Sequence, residues 1–367
     1  MADIARRCFP HQSLTAPFDY QNAPPSERET SGRETSGSET IRTRAMRWVP
    51  ALNPCCLAIV RHSPLSSSTL RRQARHRVTV AVKPAKFDYH APTTLEAAVA
   101  LLHDYNGDAR LLAGGQSLLP MMNFRLVTPA AIVDLNRIPK VDYIRADDGV
   151  LCIGAMTRHR TLEFSPLVAS RLPLLTEAIR FVAHLPIRSR GTIGGSLALA
   201  DPAAELPMIL QVLEGEVVAQ GPNGTRIIKA ADLFEGIMTT TLSADEILSE
   251  VRLPTPSPSA GFAVEEYARR RGDFAIAAVT AVIERAGTQC RKARLATAGV
   301  GPMSIRLTAA EAILEGSGLE DAAIDQAAAK AADEVSPQTD LHATADYRRH
   351  LTGILTARAL RRARSMH

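Results

Sequence analysis

The hydrophobic positions after residue 81 first follow a helical period and then form two short apolar runs. Residues 93–105 (TTLEAAVALLHDY) have apolar side chains three and four residues apart, with Thr93 or Thr94 as the N-cap. The run ARLL, ahead of the first glycine pair, and the run Ala131–Leu135 both indicate strands. A helix and strands within about 45 residues predict a small α/β subdomain.

From about Ile138 the pattern changes to that of a second region. Residues 149–157 (GVLCIGAMT) alternate like a half-buried strand, and Leu174–Ala183 has a helical pattern. The pair Asn223-Gly224 marks the turn of a hairpin. A Pro/Ser-rich linker at Thr255–Ser259 ends this region.

The last region predicts helices after two extended segments. Its stretch Leu319–Glu334 is rich in Ala and acidic residues and is helical by propensity. The whole pattern predicts a mixed α+β / α/β fold in three parts after an N-terminal extension. The changes of pattern divide the chain into residues 82–138, 139–258 and 259–367.

Residues 1–81 differ in composition from the rest of the 367-residue chain. The near-repeat at Glu29–Thr40 (ETSGRETSGSET) has too little apolar surface to offset the entropy of ordering it. An Arg-rich piece at Arg71–Arg77 would suit a transit peptide, but the 6 acidic residues of the segment argue against one. We expect an over-extended reading frame with the folded protein starting at Val82; a disordered tail is the alternative.

The positive charge of the chain lies in the same N-terminal segment. Residues 1–81 hold 12 Lys and Arg against 6 Asp and Glu, whereas the remainder holds 31 against 32. A nearly neutral body has no electrostatic footprint for duplex nucleic acid, so no nucleic-acid partner is expected.

The cysteines and the hydropathy of the chain exclude further classes of protein. Only Cys152 and Cys290 lie after residue 81, and no C-x-x-C spacing occurs, so neither a zinc site nor an iron–sulfur site is predicted. Two scattered cysteines favour a cytoplasmic location over a disulfide scaffold. No apolar run reaches the roughly 18–20 residues that a membrane span needs.

Two glycine loops are the main candidates for chemistry. They are Leu111–Leu119 (LLAGGQSLL) and Gly191–Ser196 (GTIGGS), and each is expected to place its glycine pair directly after an apolar strand. Exposed N–H groups in such a turn form a concave anion site, and hydroxyl groups of Ser117, Thr192 and Ser196 would add donors. Loops from two subdomains could hold a pyrophosphate between them.

The glycine content alone also fits two tight turns with no ligand. Neither loop matches G-x-G-x-x-G or the Walker pattern, so a Rossmann or P-loop site is not supported.

Four longer segments resemble the medium-subunit family of carbon monoxide dehydrogenase and xanthine dehydrogenase, the FAD subunits of molybdenum hydroxylases. Ala113–Ile138 and Arg188–Pro207 resemble its two FAD motifs. Arg269–Val279 (RRRGDFAIAAV) and Ala345–Leu360 (ADYRRHLTGILTARAL) resemble signatures of its C-terminal domain. The matches occur in family order over about Val82–Arg364.

The resemblance implies a PCMH-type FAD-binding region of two subdomains, followed by a CO-dehydrogenase-flavoprotein-like C-terminal α/β domain. It implies FAD held noncovalently between the subdomains, with its pyrophosphate at the glycine loops. The cofactor-binding positions that it implies are Leu111, Leu112, Ala113, Gly114, Gly115, Gln116, Ser117, Leu118, Thr192, Ile193, Gly194, Gly195, Ser196, Asp201, Glu205 and Leu248.

One stretch departs from the family pattern. Many relatives have a FAD-contacting Lys shortly before the RRxxDF-like motif, where this chain has Glu265 and Glu266. Tyr267 beside them is either an aromatic neighbour of the cofactor or a packed core residue. Arg188 and Arg190, just before the second loop, would face either phosphate or solvent.

The resemblance also implies a division of labour among subunits. Substrate oxidation would occur at molybdopterin in a large subunit, and electrons would pass through [2Fe–2S] clusters of a small subunit to FAD and an external acceptor, in a dimer of heterotrimers. No residue of this chain is then expected to act as a catalytic acid or base. The rival hypotheses are a stand-alone PCMH-type flavin oxidoreductase and a flavin-free scaffold subunit.

Overall fold

The computed structural model describes residues 82–366. The predicted N-terminal extension lies outside these residues. Three layered parts follow one another along the described chain, each with its own sheet.

The first part is a small parallel α/β unit. Its sheet has the order β1-β3-β2, and both strand pairs are parallel, with Ile132 of the central strand opposite Tyr89 and Arg110. The Thr94 hydroxyl caps the first helix by accepting the N–H of Ala97 at 3.1 Å. The elements are β1 (Asp88–His90), α1 (Leu95–Asp104), β2 (Ala109–Leu112), α2 (Leu118–Asn123), β3 (Ala131–Asp134) and a 3-10 turn (Leu135–Arg137).

The second part of the described chain contains a five-stranded antiparallel sheet and seven helices. The strand order is β4-β5-β10-β6-β7, and the predicted hairpin turn at Asn223-Gly224 joins β6 to β7. The strands are β4 (Ile144–Asp147), β5 (Val150–Gly154), β6 (Glu216–Gly221), β7 (Gly224–Lys229), β8 (Phe234–Gly236), β9 (Thr239–Thr240) and β10 (Ile247–Pro254). The helices are α3 (His159–Phe164), α4 (Pro166–Arg171), α5 (Pro173–Ile179), α6 (Leu185–Arg188), α7 (Ile193–Leu199), α8 (Glu205–Val212) and α9 (Ala230–Leu233).

The C-terminal part has a four-stranded antiparallel sheet of order β11-β12-β13-β14. One face packs under the helices, and Val264, Ala278 and Val282 on the other face join the core of the second part. Strand β12 is covered on both faces, which explains why its residues 277–283 are apolar or small without alternation. The elements are β11 (Gly261–Tyr267), β12 (Ala277–Ala286), β13 (Gln289–Ala298), β14 (Ile305–Arg306), α10 (Thr308–Leu314), α11 (Asp321–Glu334) and α12 (Ala345–Arg364).

The mixed α+β / α/β fold predicted from the sequence is confirmed, and several elements have other bounds than predicted. The helix predicted at Leu174–Ala183 is α5, Pro173–Ile179, and ends earlier. The strand predicted to reach Leu135 ends at Asp134, because the Asp134 carboxylate accepts the N–H of Asn136 at 2.9 Å and starts a 3-10 turn.

Candidate cofactor site at the two glycine loops

The first glycine loop, which follows β2, has backbone N–H groups available as hydrogen-bond donors. Gly115 has a φ of +72°, a conformation that glycine adopts without strain. Within residues 82–366 no acceptor bonds the backbone N–H of Gly115, Gln116 or Ser117. Ser117, whose side chain makes no cap bond to α2, is exposed. Consecutive N–H groups of this kind form a concave site for an anion.

The second glycine pair is not in the environment that the sequence predicted. Gly194 and Gly195 do not follow a strand; they form the first turn of α7, which comes after the short helix α6. Their N–H groups are already bonded, that of Gly194 to Ala155 O at 2.9 Å and that of Gly195 to Thr192 Oγ1 at 3.1 Å. The expectation that this pair follows a strand was wrong, because the chain here satisfies its N–H groups by capping a helix.

Close packing accounts for Gly194. A Cβ at this position would lie 2.5 Å from the Cβ of Ala155, so only glycine lets α7 approach the chain just after β5. Ile193 is buried, and its N–H bonds to Thr157 O at 3.1 Å, which fixes the same approach.

The two loops meet although they belong to different subdomains. A Cβ on Gly114 would lie 2.8 Å from Cα of Gly191 and even closer to the carbonyl oxygen of Arg190. Gly114 is therefore required by the contact between the loops rather than by a turn. Leu111, Leu112, Ala113 and Leu118, also predicted at this site, are partly buried around the first loop.

Two polar side chains link the loops. Asn136 Nδ2 donates to Ala113 O at 2.9 Å in the first loop, and Arg158 donates both to Asn136 Oδ1 and to Arg190 O. The sequence analysis did not single out Asn136 or Arg158. A usable signal existed for Asn136, because it follows the carboxyl end of a parallel strand, where ligand sites gather in α/β sheets.

His159, also missed from the sequence, supports the second loop. Its Nε2 lies 3.1 Å from Ser196 Oγ. Burial, together with the nearby cations Arg188 and Arg158, lowers the pKa of His159 to about 4. The imidazole is therefore neutral at neutral pH, and it can hold the Ser196 hydroxyl without adding charge.

Three carboxyl groups lie near the segment that comes after the second loop. Asp201 Oδ1 accepts the N–H of Ala203 at 2.9 Å, and burial raises the pKa of Asp201. Burial, together with the charge of Asp201, raises the pKa of Glu205 to about 7. Glu266 of β11 faces the same region: burial, with the charge of Glu205, raises its pKa to about 8. Glu205 and Glu266 therefore keep protons at a higher pH than free carboxyl groups do.

Glu265 and Glu266, where the chain departs from the family pattern, differ in their partners. Glu265 pairs with Arg362 at 3.1 Å, whereas Oε2 of Glu266 is buried with no partner among the described residues. Tyr267 is 43 % exposed and meets the ring of Tyr347 edge-on, so it is not a core residue.

The remaining candidates lie in distinct environments. Leu248 is buried in β10, within the core of the second part. Arg188 is occupied by Glu163 at 3.1 Å and by the carbonyl of Ala183 at 2.8 Å, so its charge is already compensated. Arg190 is exposed beside the point where the loops meet.

The arrangement fits a dinucleotide. Unbonded N–H groups of one subdomain lie where its loop touches the other subdomain. No group of three or more His, Cys, Asp or Glu suited to a metal ion was found between residues 82 and 366. No helix of that part is long and apolar enough to cross a membrane.

Comparisons with known proteins identify the family of this chain. Residues 85–256 match the FAD binding domain in molybdopterin dehydrogenase, and residues 262–363 match the CO dehydrogenase flavoprotein C-terminal domain. The chain is 39 % identical to the 6-hydroxypseudooxynicotine dehydrogenase complex subunit alpha of Paenarthrobacter nicotinovorans, over 77 % of this chain and 96 % of that relative. It is 39 % identical to the carbon monoxide dehydrogenase medium chain of Hydrogenophaga pseudoflava, over 76 % and 98 %.

A solved structure of the same family is also similar to this chain. The carbon monoxide dehydrogenase of Hydrogenophaga pseudoflava matches with a TM-score of 0.76 at 40 % identity, covering 77 % of this chain and 99 % of that chain. The fold and the matched families thus define a flavoprotein with an FAD-binding domain followed by a C-terminal domain. The chain belongs to the family of FAD-binding medium subunits of molybdenum hydroxylases. It is the FAD-containing electron-transfer subunit of an oxidoreductase, and the resemblance of its four motifs is confirmed.

Proposed function

We propose that FAD lies where the two glycine loops meet, with its diphosphate against the first loop. The contact of Gly114 with Arg190 and Gly191 is the observation that supports this most directly. It brings the unbonded N–H groups of Gly115, Gln116 and Ser117 to the boundary between two subdomains. A diphosphate there would accept these N–H groups, as anions do in backbone nests.

The second loop would contribute hydroxyl groups more than N–H groups. The Thr192 hydroxyl accepts from Gly195 and keeps its own proton to donate, and Ser196 is partly exposed beside it. The proposed contacts are those implied by the motifs: Leu111, Leu112, Ala113, Gly114, Gly115, Gln116, Ser117, Leu118, Thr192, Ile193, Gly194, Gly195, Ser196, Asp201, Glu205 and Leu248.

The carboxyl groups near the second loop have a separate part in this proposal. With its pKa raised to about 7, Glu205 can be a protonated donor, and the Asp201 carboxylate can be an acceptor, which suits the hydroxyl groups of a ribityl or ribose chain. Bound FAD supplies redox chemistry that belongs to the cofactor, while this chain binds and orients it.

We also propose the assembly in which this chain works. Its partners would be a small subunit with [2Fe–2S] clusters and a large subunit with molybdopterin, in a dimer of heterotrimers. The names of relatives as medium chains and complex subunits support this. Both cysteines of the described chain, Cys152 and Cys290, are buried, so neither suits a cluster at a surface. Buried free thiols also support a cytoplasmic location.

The proposed domain limits follow the sheets. One domain would span residues 82–258, with a subdomain boundary near residue 138, and the second would span residues 259–367. The first parallel sheet ends with β3 at Asp134, and the C-terminal sheet begins with β11 at Gly261.

Reconstitution of the purified full chain with FAD tests the main proposal. We expect flavin absorbance to co-elute with the wild-type chain, and Gly114→Ala to lower FAD affinity at least about tenfold, because its Cβ separates the loops. Gly236→Ala is the matched control, since a Cβ there meets nothing within 4 Å.

The other outcomes identify the rival functions. A wild-type chain that retains no FAD would support a scaffold subunit. Reduction of bound flavin by a small organic substrate, with no other subunit present, would support a stand-alone oxidoreductase. Reduction only after a reduced [2Fe–2S] subunit is added would support the proposed role.

A further inference from the structure

The link between the two glycine loops consists of side chains outside both loops. Asn136 Nδ2 donates to Ala113 O at 2.9 Å, and Arg158 donates to Asn136 Oδ1 with one nitrogen. The other nitrogen of the Arg158 fork donates to the carbonyl of Arg190. A continuous chain of hydrogen bonds therefore runs from the first loop to the base of the second.

Asn136 is held in place by hydrogen bonds to Asp134. The carboxylate of Asp134 accepts its backbone N–H at 2.9 Å and also bonds its side-chain amide. Tyr89 donates its hydroxyl to the same carboxylate at 2.6 Å. Although burial opposes it, hydrogen bonds from Tyr89 and Asn136 keep the pKa of Asp134 below its usual value. Asp134 thus remains an acceptor, and the amide of Asn136 keeps one orientation.

Arg158 is suited to a bridge because its guanidinium group is planar and presents two donors in a fixed geometry. It is partly buried, and no carboxylate pairs with it among residues 82–366. Both of its bonds go to neutral oxygens, one on each side of the subdomain boundary. The guanidinium therefore serves this contact rather than an ion pair.

Two opposing constraints set the distance between the loops. The contact of Gly114 with Arg190 and Gly191 is the limit of close approach, since even a Cβ does not fit there. The bonds of Arg158 and Asn136 resist separation. We propose that Arg158, acting through Asn136, is a positioning residue that holds the two loops at the spacing that the FAD diphosphate requires.

This inference rests on the proposed function, and it predicts how FAD affinity responds to substitution. The full chain would be titrated with FAD, and flavin fluorescence would give the dissociation constant of each variant. We expect Arg158→Gln and Asn136→Ala each to weaken FAD binding about tenfold, because each breaks the same bridge. The double variant should bind FAD at most about twofold more weakly than either single variant. The reason is that the effects of substitutions within one hydrogen-bond network are not additive.

Arg190→Gln is the control that separates positioning from direct charge. It removes a neighbouring cation but keeps the backbone carbonyl that Arg158 bonds, so FAD affinity should stay within about twofold of wild type. Arg158→Lys should restore part of the affinity lost in Arg158→Gln, because Lys can still donate but lacks the planar fork. Should Arg158→Gln not fold, Arg158→Lys and Asn136→Ala provide the same comparison.

Three results would overturn the bridge. They are wild-type affinity in Arg158→Gln, additive losses in the double variant, and an equal loss in Arg190→Gln, which would assign the effect to charge on the anion. A wild-type chain that binds no FAD contradicts the proposed function instead. Urea unfolding of the FAD-free variants would show whether a lost affinity only reflects unfolding.

Discussion

His159 Nε2 lies 3.1 Å from Ser196 Oγ, which joins helix α3 to the first turn of α7. The histidine is buried and neutral, whereas the serine is partly exposed at the second glycine loop. A buried polar residue thus fixes the side chain of a predicted cofactor contact, and the titration of His159 gives a way to test its environment.

Acid should destabilise the wild-type chain more than a His159→Gln variant. Burial lowers the pKa of His159 to about 4, so between about pH 6.5 and pH 4 the unfolded chain binds a proton that the folded chain does not. The free energy of unfolding therefore falls as the pH drops through this window. Urea unfolding at pH 4.5 and pH 7 measures it, and Gln, which can still bond Ser196, should show a smaller fall. Equal pH dependence in both chains would contradict a buried neutral histidine.

Glu266 should make the free energy of unfolding fall as the pH rises, which is opposite to the effect of His159. Burial, with the charge of Glu205, raises its pKa to about 8, so the folded chain keeps a proton that the unfolded chain loses above about pH 4.5. The stability that this proton gives is complete below about pH 4.5 and is lost as the pH rises through 8. Glu266→Gln should therefore be more stable than wild type at pH 8, as measured by urea unfolding.

A matched acidic variant makes that test specific. Glu265, the preceding residue on the same strand, pairs with Arg362 at 3.1 Å. Glu265→Gln should not gain stability at pH 8. A gain in both variants would mean that general charge reduction, and not Glu266, causes the effect.

Gly194→Ala should destabilise the chain although alanine is the better helix former. The new Cβ would lie 2.5 Å from that of Ala155, so α7 must move away from β5. We expect a loss of about 1–3 kcal/mol in the free energy of unfolding, which exceeds the roughly 1 kcal/mol gained in helix propensity. Gly236→Ala, which meets no atom within 4 Å, should change it far less. A more stable Gly194→Ala variant would show that the helix does not pack this closely.

Arg348 should be among the most costly residues of the C-terminal domain to replace. It is buried in α12 and donates to Ile276 O and Gly299 O, both at 2.7 Å. Gly299 in turn donates to Pro202 O at 2.8 Å, next to Asp201. Arg348→Met leaves the buried carbonyl of Ile276 and the partly buried carbonyl of Gly299 without this donor, so we expect a loss of about 2–4 kcal/mol in urea unfolding. Arg349→Met is the control, because its pair with Asp346 is exposed.

The fold was predictable from the sequence where the pattern is local. The helix capped by Thr94, the hairpin at Asn223-Gly224 and the first glycine loop after β2 all depend on residues close together in the chain. The prediction failed at Gly194-Gly195, where the same dipeptide forms a helix turn. A glycine pair signals that space is limited, but it does not say whether a ligand or another helix fills that space.

The sequence by itself determined the class of the protein, because four ordered motifs and their spacing are local text that a family resemblance can match. Only the tertiary structure decided which side chains act together. Arg158 reaches Asn136 and Arg190 across a subdomain boundary, and Glu266 of the C-terminal sheet faces Glu205 of the FAD-binding region. Periodicity encodes which side of an element is buried, whereas the partner across the interface depends on how the elements pack.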